Sequence, residues 1–162
     1  MSRLLVVLPS YNESENIISI VNALLNLEEQ SLEVFVCVVD DNSPDGTPEV
    51  LQNELKGNSA WQERVSFHIR EKKDGRGGAV RFGLVYGIKS DMEFEHFVEM
   101  DCDFSHPPTA ILEGVSLLEA GNDVVLGSRY PDGSIEGWSF MRKFFSFLAN
   151  QLARAFLSRD IC

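Results

Sequence analysis

The sequence predicts an α/β fold, a mostly parallel sheet flanked by helices. Five short runs rich in β-forming apolar residues, at 4–8, 34–39, 65–69, 94–100 and 124–126, read as strands covered on both faces. Capped or amphipathic stretches separate them, and regular strand–helix alternation builds a parallel sheet through crossover connections. The polar clusters fall just after the strands, where open parallel sheets bind ligands.

The elements follow in order. Residues 4–8 are a buried strand. Residues 13–29 are a helix, with Asn12 as N-cap and acidic residues in the first turn. Residues 34–39 are a second buried strand, after which Pro44, Asp45 and Gly46 make a turn. Pro48 suits the first position of a helix that runs to about Lys56. Residues 65–69 are a third strand. The glycine-rich stretch Gly75 to Gly78 reads as a tight turn, followed by a helix over 79–88. Residues 94–100 are a fourth strand; Pro107 and Pro108 then open a helix over 109–119, closed by Gly121. Residues 124–126 are a fifth strand, and 138–157 a long final helix.

A chain of 162 residues with no linker, repeat or low-complexity tract predicts one domain, 1–162. It ends abruptly after Arg159, Asp160, Ile161 and Cys162, as a C-terminally truncated chain would. The formal net charge of −11 excludes a general nucleic-acid binder, which needs a basic surface. Cys37, Cys102 and Cys162 are odd in number and widely spaced, which argues against a disulfide framework or thiolate metal site and for a reducing, cytoplasmic compartment. The apolar run at 4–8 is too short for a signal sequence, and no stretch approaches the roughly 20 apolar residues of a membrane span. A soluble or peripheral protein is therefore expected.

Six clusters carry candidate chemistry. Pro9, Ser10, Tyr11, Asn12 and Glu13 follow the first strand. They suit either a stacking and hydrogen-bonding site for a nucleotide or a plain turn and cap. Asp40, Asp41, Asn42, Ser43, Pro44 and Asp45 follow the second. Adjacent carboxylates there can hold a base or ribose, or form an Asx-rich turn. After the fourth strand, Asp101-Cys102-Asp103 places two hard oxygen ligands near one point. Mg²⁺ or Mn²⁺ takes one or two carboxylates plus substrate phosphates, and such an ion would reconcile an acidic protein with an anionic diphosphate. Gly75-Arg76-Gly77-Gly78-Ala79 matches no phosphate-loop pattern and reads as structural. Gly127-Ser128-Arg129-Tyr130 offers a cation. In the final helix, Ser139, Arg142, Lys143, Ser146 and Asn150 form a narrow polar stripe in an apolar surround. Four basic residues (Arg142, Lys143, Arg154, Arg159) stand there against one acid, Asp160, a balance that suits a membrane surface or, alternatively, a covered core helix. His68, His96 and His106 have no convincing partners and receive no catalytic role.

Together, Leu8-Pro9-Ser10-Tyr11-Asn12-Glu13, Val39-Asp40-Asp41-Asn42-Ser43-Pro44-Asp45-Gly46-Thr47, Met100-Asp101-Cys102-Asp103-Phe104-Ser105-His106, Gly127-Ser128-Arg129-Tyr130 and the helix from Trp138 to Ser146 resemble the dolichol-phosphate (polyprenyl-phosphate) mannosyltransferases. These belong to the inverting family 2 glycosyltransferases, and the resemblance covers nearly the whole chain. It implies a nucleotide-sugar-binding fold of GT-A type, with a nucleotide-binding part over about 1–130 and an acceptor- and membrane-facing helix over about 136–158. It implies that Pro9, Tyr11, Glu13, Asp40 and Asp41 line the nucleotide pocket, that Asp101 and Asp103 hold the metal, and that Arg129 faces phosphate. Arg142 and Ser146 would hold the acceptor phosphate. Some relatives carry glutamine two residues after the Asp-x-Asp; Ser105 stands there in this chain, so coordination would rely more on water.

The implied activity is transfer of a hexose, mannose from GDP-mannose, to a polyprenyl (dolichyl) phosphate, on the cytoplasmic face of a membrane. A UDP-sugar donor, a saccharide acceptor and a non-catalytic nucleotide-sugar or lipid-binding module are the alternatives.

Overall fold

The computed structural model describes residues 2–27, 32–127, 141, 144–149 and 151. It divides into two units, Met1–Ala120 and Gly121–Cys162.

The first unit holds strands β1 (Ser2–Ser10), β2 (Leu32–Asp40), β3 (Val65–Ile69) and β4 (His96–Glu99), with helices α1 (Ile17–Leu25), α2 (Thr47–Gly57), α3 (Ser59–Arg64), α4 (Gly75–Lys89) and α5 (Ala110–Glu119). The strands form one sheet in the order β3-β2-β1-β4, and every pairing is parallel. The chain steps outward from β1 to β3, then returns through α4 to lay β4 on the other side of β1. That reversal makes the crevice between β1 and β4 the switch point of the sheet, where the carboxyl ends of the strands are open to a ligand.

Strand alternation sends β1 into two cores. Leu4, Val6 and Leu8 pack with Ile17, Ile20 and Leu24 of α1, Leu51 of α2, Trp61 of α3, and Ile111 and Val115 of α5. Leu5 and Val7 face the other way, with Phe35, Cys37 and Val39 of β2 and Ala79 of α4. Both faces of the sheet are therefore covered, as the unbroken apolar runs require. α4 lies close on the sheet because Gly83 and Gly87, one turn apart, face Val7 and Leu5; a Cβ at either would fall inside van der Waals contact.

Several expected elements differ. The helix predicted over 13–29 begins at Ile17, and Asn12 is not its cap: Asn12 is left-handed at φ 62°, and Asn16 takes the cap position. The cause is tertiary, because the backbone of residues 12–14 is bonded to the loop after β2. α3 was not expected. It is a short helix held by Trp61, which is buried and donates its indole N–H to Asn22 at 2.8 Å. The glycine-rich stretch is the first turn of α4 rather than a turn before it.

In the second unit, residues 124–127 carry no strand pairing, so the fifth strand predicted at 124–126 does not form among the described residues. A three-residue run needs a neighbour to take its N–H and C=O groups, and the described sheet has four strands. Residues 141, 144–149 and 151 are helical, within the predicted final helix. No helix among the described residues is long and apolar enough to cross a membrane.

Candidate active site at the carboxyl ends of the strands

Three loops meet beyond the carboxyl ends of β1, β2 and β4. Asp41 donates its N–H to the Ser10 carbonyl at 3.0 Å, and Met100 donates to Val7 at 3.3 Å, so all three loops leave the sheet in register. Cys102, buried, places its Sγ 3.4 Å from the Pro9 carbonyl, which ties the Asp-x-Asp loop to the first loop. Pro9, Tyr11, Glu13, Asp40, Asp41, Asp101 and Asp103 are thereby gathered at one end of the sheet. Arg129 and Arg142 lie outside the described residues. Ser146 is half-buried in the helical stretch of the second unit.

The first two loops are laced by side chains. Asn12, Glu13 and Ser14 donate their backbone N–H groups to Ser43 Oγ (2.9 Å), Thr47 Oγ1 (3.1 Å) and Asp45 Oδ2 (3.0 Å). Asp40, buried, accepts the Ser43 N–H at 2.8 Å and its hydroxyl at 2.6 Å. Its carboxylate therefore builds the loop. Asp45 accepts the N–H of Thr47 at 3.1 Å and its hydroxyl at 2.6 Å. Desolvation opposes the charge on Asp45, but the hydrogen bonds from Thr47 and Ser14 outweigh it and hold the carboxyl well below the usual carboxylate range. Of the two readings of this cluster, the Asx-type turn is visible in Asp40.

Left-handed residues sit in each loop: Asn12 (φ 62°), Asn42 (φ 58°) and Phe104 (φ 57°). Asparagine tolerates this region; a phenylalanine is strained in it, and such strain concentrates at functional sites. At Phe104 it turns the Ser105 N–H onto Asp103 Oδ1 at 3.0 Å. Hydrogen bonding by Ser105, through its hydroxyl first and this N–H second, holds the Asp103 carboxyl below its ordinary range.

The electrostatics of the site are negative, answered by cations from one segment. Burial first, then the carboxylates of Glu13, Asp101, Asp103 and Asp40, push the Cys102 thiol far above its ordinary value. Three basic residues between the end of β3 and the first turn of α4 face this array. Arg70 Nε donates to Asp41 Oδ1 at 2.6 Å. Lys73 Nζ stands 3.2 Å from the centre of the Tyr11 ring. Arg76 donates to Asp101 Oδ1 at 2.8 Å and to Glu99 Oε2 at 2.6 Å. None of these three was singled out from sequence as a site residue beyond Arg76, which read as structural. The signal available was local: four basic residues (Arg70, Lys72, Lys73 and Arg76) within seven positions of a strongly acidic chain.

Asp101 and Asp103 are the candidate ligands for Mg²⁺ or Mn²⁺. Among the described residues, no group of three or more histidine, cysteine or carboxylate side chains forms a metal cage. Two hard-oxygen carboxylates at a loop, one of them already seated on a guanidinium, fit instead an ion that keeps waters and takes phosphate oxygens. The donor set therefore fits such an ion.

Comparison with known proteins gives the family and the fold. The sequence pattern described as "Glycosyl transferase family 2" matches residues 5–161. A polyprenol monophosphomannose synthase of Mycolicibacterium smegmatis is 37% identical over 160 residues, covering 98% of this chain and 57% of that protein. A dolichol-phosphate mannosyltransferase of Pyrococcus furiosus is 37% identical over 159 residues, covering 96% of this chain and 42% of that one. The chain therefore spans about half the length of these two relatives. Among solved structures, residues 1–349 of Staphylococcus aureus TarS superpose with a TM-score of 0.55 at 17% identity, over 82% of this chain and 40% of that one, a likeness of fold.

Proposed function

The chain belongs to glycosyl transferase family 2, and from that premise we propose that it is the donor-binding, catalytic part of an enzyme that transfers mannose from GDP-mannose to a polyprenyl (dolichyl) phosphate with inversion. The observation that carries this reading is the agreement of two relatives, each 37% identical over nearly the whole chain, whose names both join mannose to a polyprenyl phosphate. The gathering of Tyr11, Glu13, Asp41, Asp101 and Asp103 at the switch point of the sheet supports it.

Tyr11, an exposed ring at the end of β1, offers a face on which a guanine can stack. Glu13 and Asp41 supply hydrogen-bond acceptors to the base edge and ribose, while Asp40 keeps their loops in place. Asp101 and Asp103 would hold Mg²⁺ or Mn²⁺ against the diphosphate, where the ion supplies Lewis-acid stabilisation of the leaving group. Arg129 would supply a cation to the same phosphates. Arg142 and Ser146, four positions apart in the sequence, would hold the acceptor phosphate.

An acceptor phosphate oxygen forms the new bond to the anomeric carbon as the bond from that carbon to the diphosphate oxygen breaks, with GDP taking the electron pair. A phosphate monoester, with a second pKa of about 6, is already ionised near neutral pH, so no side chain need remove a proton. Positioning and charge stabilisation are what the protein supplies. The helical stretch of the second unit exposes Met141, Phe144, Phe145, Phe147 and Leu148, an apolar surface that suits the membrane interface where such an acceptor resides.

Calorimetric titration of GDP-mannose and UDP-glucose, each with and without Mn²⁺, tests the donor. Mn²⁺-dependent binding of GDP-mannose that disappears in Asp103→Ala is expected. Binding of UDP-glucose instead, or unchanged binding by the variant, would overturn the donor or the site respectively.

A further inference from the structure

Arg76 has no place in the chemistry above, yet it makes the most specific polar contact of the Asp-x-Asp loop. Its Nε donates to Asp101 Oδ1 at 2.8 Å, and a terminal nitrogen reaches Glu99 Oε2 at 2.6 Å. Gly75, left-handed at φ 75°, sets it in the first turn of α4, facing the end of β4. Glu99 ends β4 and Asp101 lies two residues on, in the loop that follows, and both carboxylates reach the same guanidinium.

We infer that Arg76 is an internal counter-ion of the metal site, which occupies Asp101 until a divalent ion and a nucleoside diphosphate arrive together. The inference rests on the reading of Asp101 as a metal ligand. A guanidinium has five donors and no lone pair to offer, and it cannot give up its proton in a protein. It can only compete with an ion for the Asp101 oxygen, and its charge repels the ion at close range. Arg76 is half-exposed, so its bonds are of the weak, exchangeable kind.

The same geometry says what happens on exchange. Glu99 lies outside the Asp-x-Asp pair and keeps its own bond to Arg76. The guanidinium can therefore turn from Asp101 toward Glu99, into the open cavity of about 430 Å³ lined by Arg76, Gly77, Arg81, Val85 and Glu99. A diphosphate brings the negative charge that lets an ion and Arg76 stand near each other. The ion alone brings none. Ion and nucleotide binding are then coupled, each raising the affinity of the other by the same factor.

The test is Mn²⁺ binding, read by the loss of the free-ion electron paramagnetic resonance signal, with the chain alone and with saturating GDP. Arg76→Gln, Arg76→Lys and Asp101→Asn are compared with the parent, each checked for an unchanged circular dichroism spectrum. Arg76→Gln should bind Mn²⁺ without GDP at least about fivefold more tightly than the parent, the weakest effect of a unit charge about 4 Å away in bulk water. GDP should enhance its binding less than it enhances the parent's, and Arg76→Lys should behave like the parent. Equal or weaker Mn²⁺ binding by Arg76→Gln, with Asp101→Asn still losing the ion, overturns this inference alone. Unchanged Mn²⁺ binding by Asp101→Asn overturns the metal-site reading and the inference with it.

Discussion

The ion pair between Arg70 and Asp41 is the strongest test of how the site is built. Arg70 Nε lies 2.6 Å from Asp41 Oδ1, and a terminal nitrogen lies 2.5 Å from the same oxygen. The side chains are 13% and 4% exposed, so the pair is nearly desolvated. Its hydrogen bond to Asp41 raises the Arg70 pKa further, and the guanidinium stays charged. Replacing Arg70 by leucine would leave the Asp41 carboxylate buried with its cation gone, and breaking such a pair costs roughly 3–5 kcal/mol. The residual exposure of Arg70 lets water reach the carboxylate, which places the expected loss near the lower end, about 3 kcal/mol. That is a large part of the 5–15 kcal/mol that holds a typical domain. Removing both charges, in Arg70→Leu with Asp41→Asn, should restore at least about 1 kcal/mol of it, because the uncompensated charge is then gone. Urea denaturation followed by far-ultraviolet circular dichroism measures both. A single-variant loss under about 1 kcal/mol, or a double variant no more stable than the single, would refute the claim that the pair is a buried, structural one.

Three further predictions concern packing, acid and thiols. Gly83→Ala puts a Cβ against Val7, a buried, β-branched side chain with no room to yield; an overpacking cost of about 1–3 kcal/mol should exceed the ~1 kcal/mol gained in helix propensity, and the urea midpoint should fall. Asp45, with its folded pKa depressed, contributes stability that is complete above its unfolded value near ~3.9 and is lost as pH falls through the folded value. Asp45→Asn should therefore be less stable than the parent by a constant margin from about pH 5 to 8, and that margin should shrink below about pH 4 in midpoints measured across the range. Burial pushes the Cys37 thiol up to about 11 against the smaller pull of a Ser66 hydrogen bond, and Cys102 is raised further still. Iodoacetamide at about pH 8 should leave both unmodified in the folded chain and label both in urea, as read by mass spectrometry.

Much of this layout is local and was legible. The apolar runs marked four strands of one parallel sheet, and the turn residues after them marked the loops that became the site. The misses share one physical origin. Asn12 looks like a helix cap in its own neighbourhood, but its N–H bonds to Ser43, 31 positions away, and the chain turns left-handed there. α3 has too few residues to show a helical period and exists because Trp61 has a core to enter. The run at 124–126 has strand composition but no described neighbour to pair with.

The same division holds for the chemistry. The sequence by itself determined the fold class, the family and the acidic groups of the candidate site, because hydrophobic patterning and short motifs are written in consecutive residues. Only the tertiary structure decided which charges meet. Asp40 is bound within its loop, Asp41 by Arg70, Lys73 stands over one face of Tyr11, and Asp101 is held by Arg76. The three cations come from one segment, between β3 and the first turn of α4, and they meet groups on the loops after β2, β1 and β4 because those strands lie side by side in the sheet.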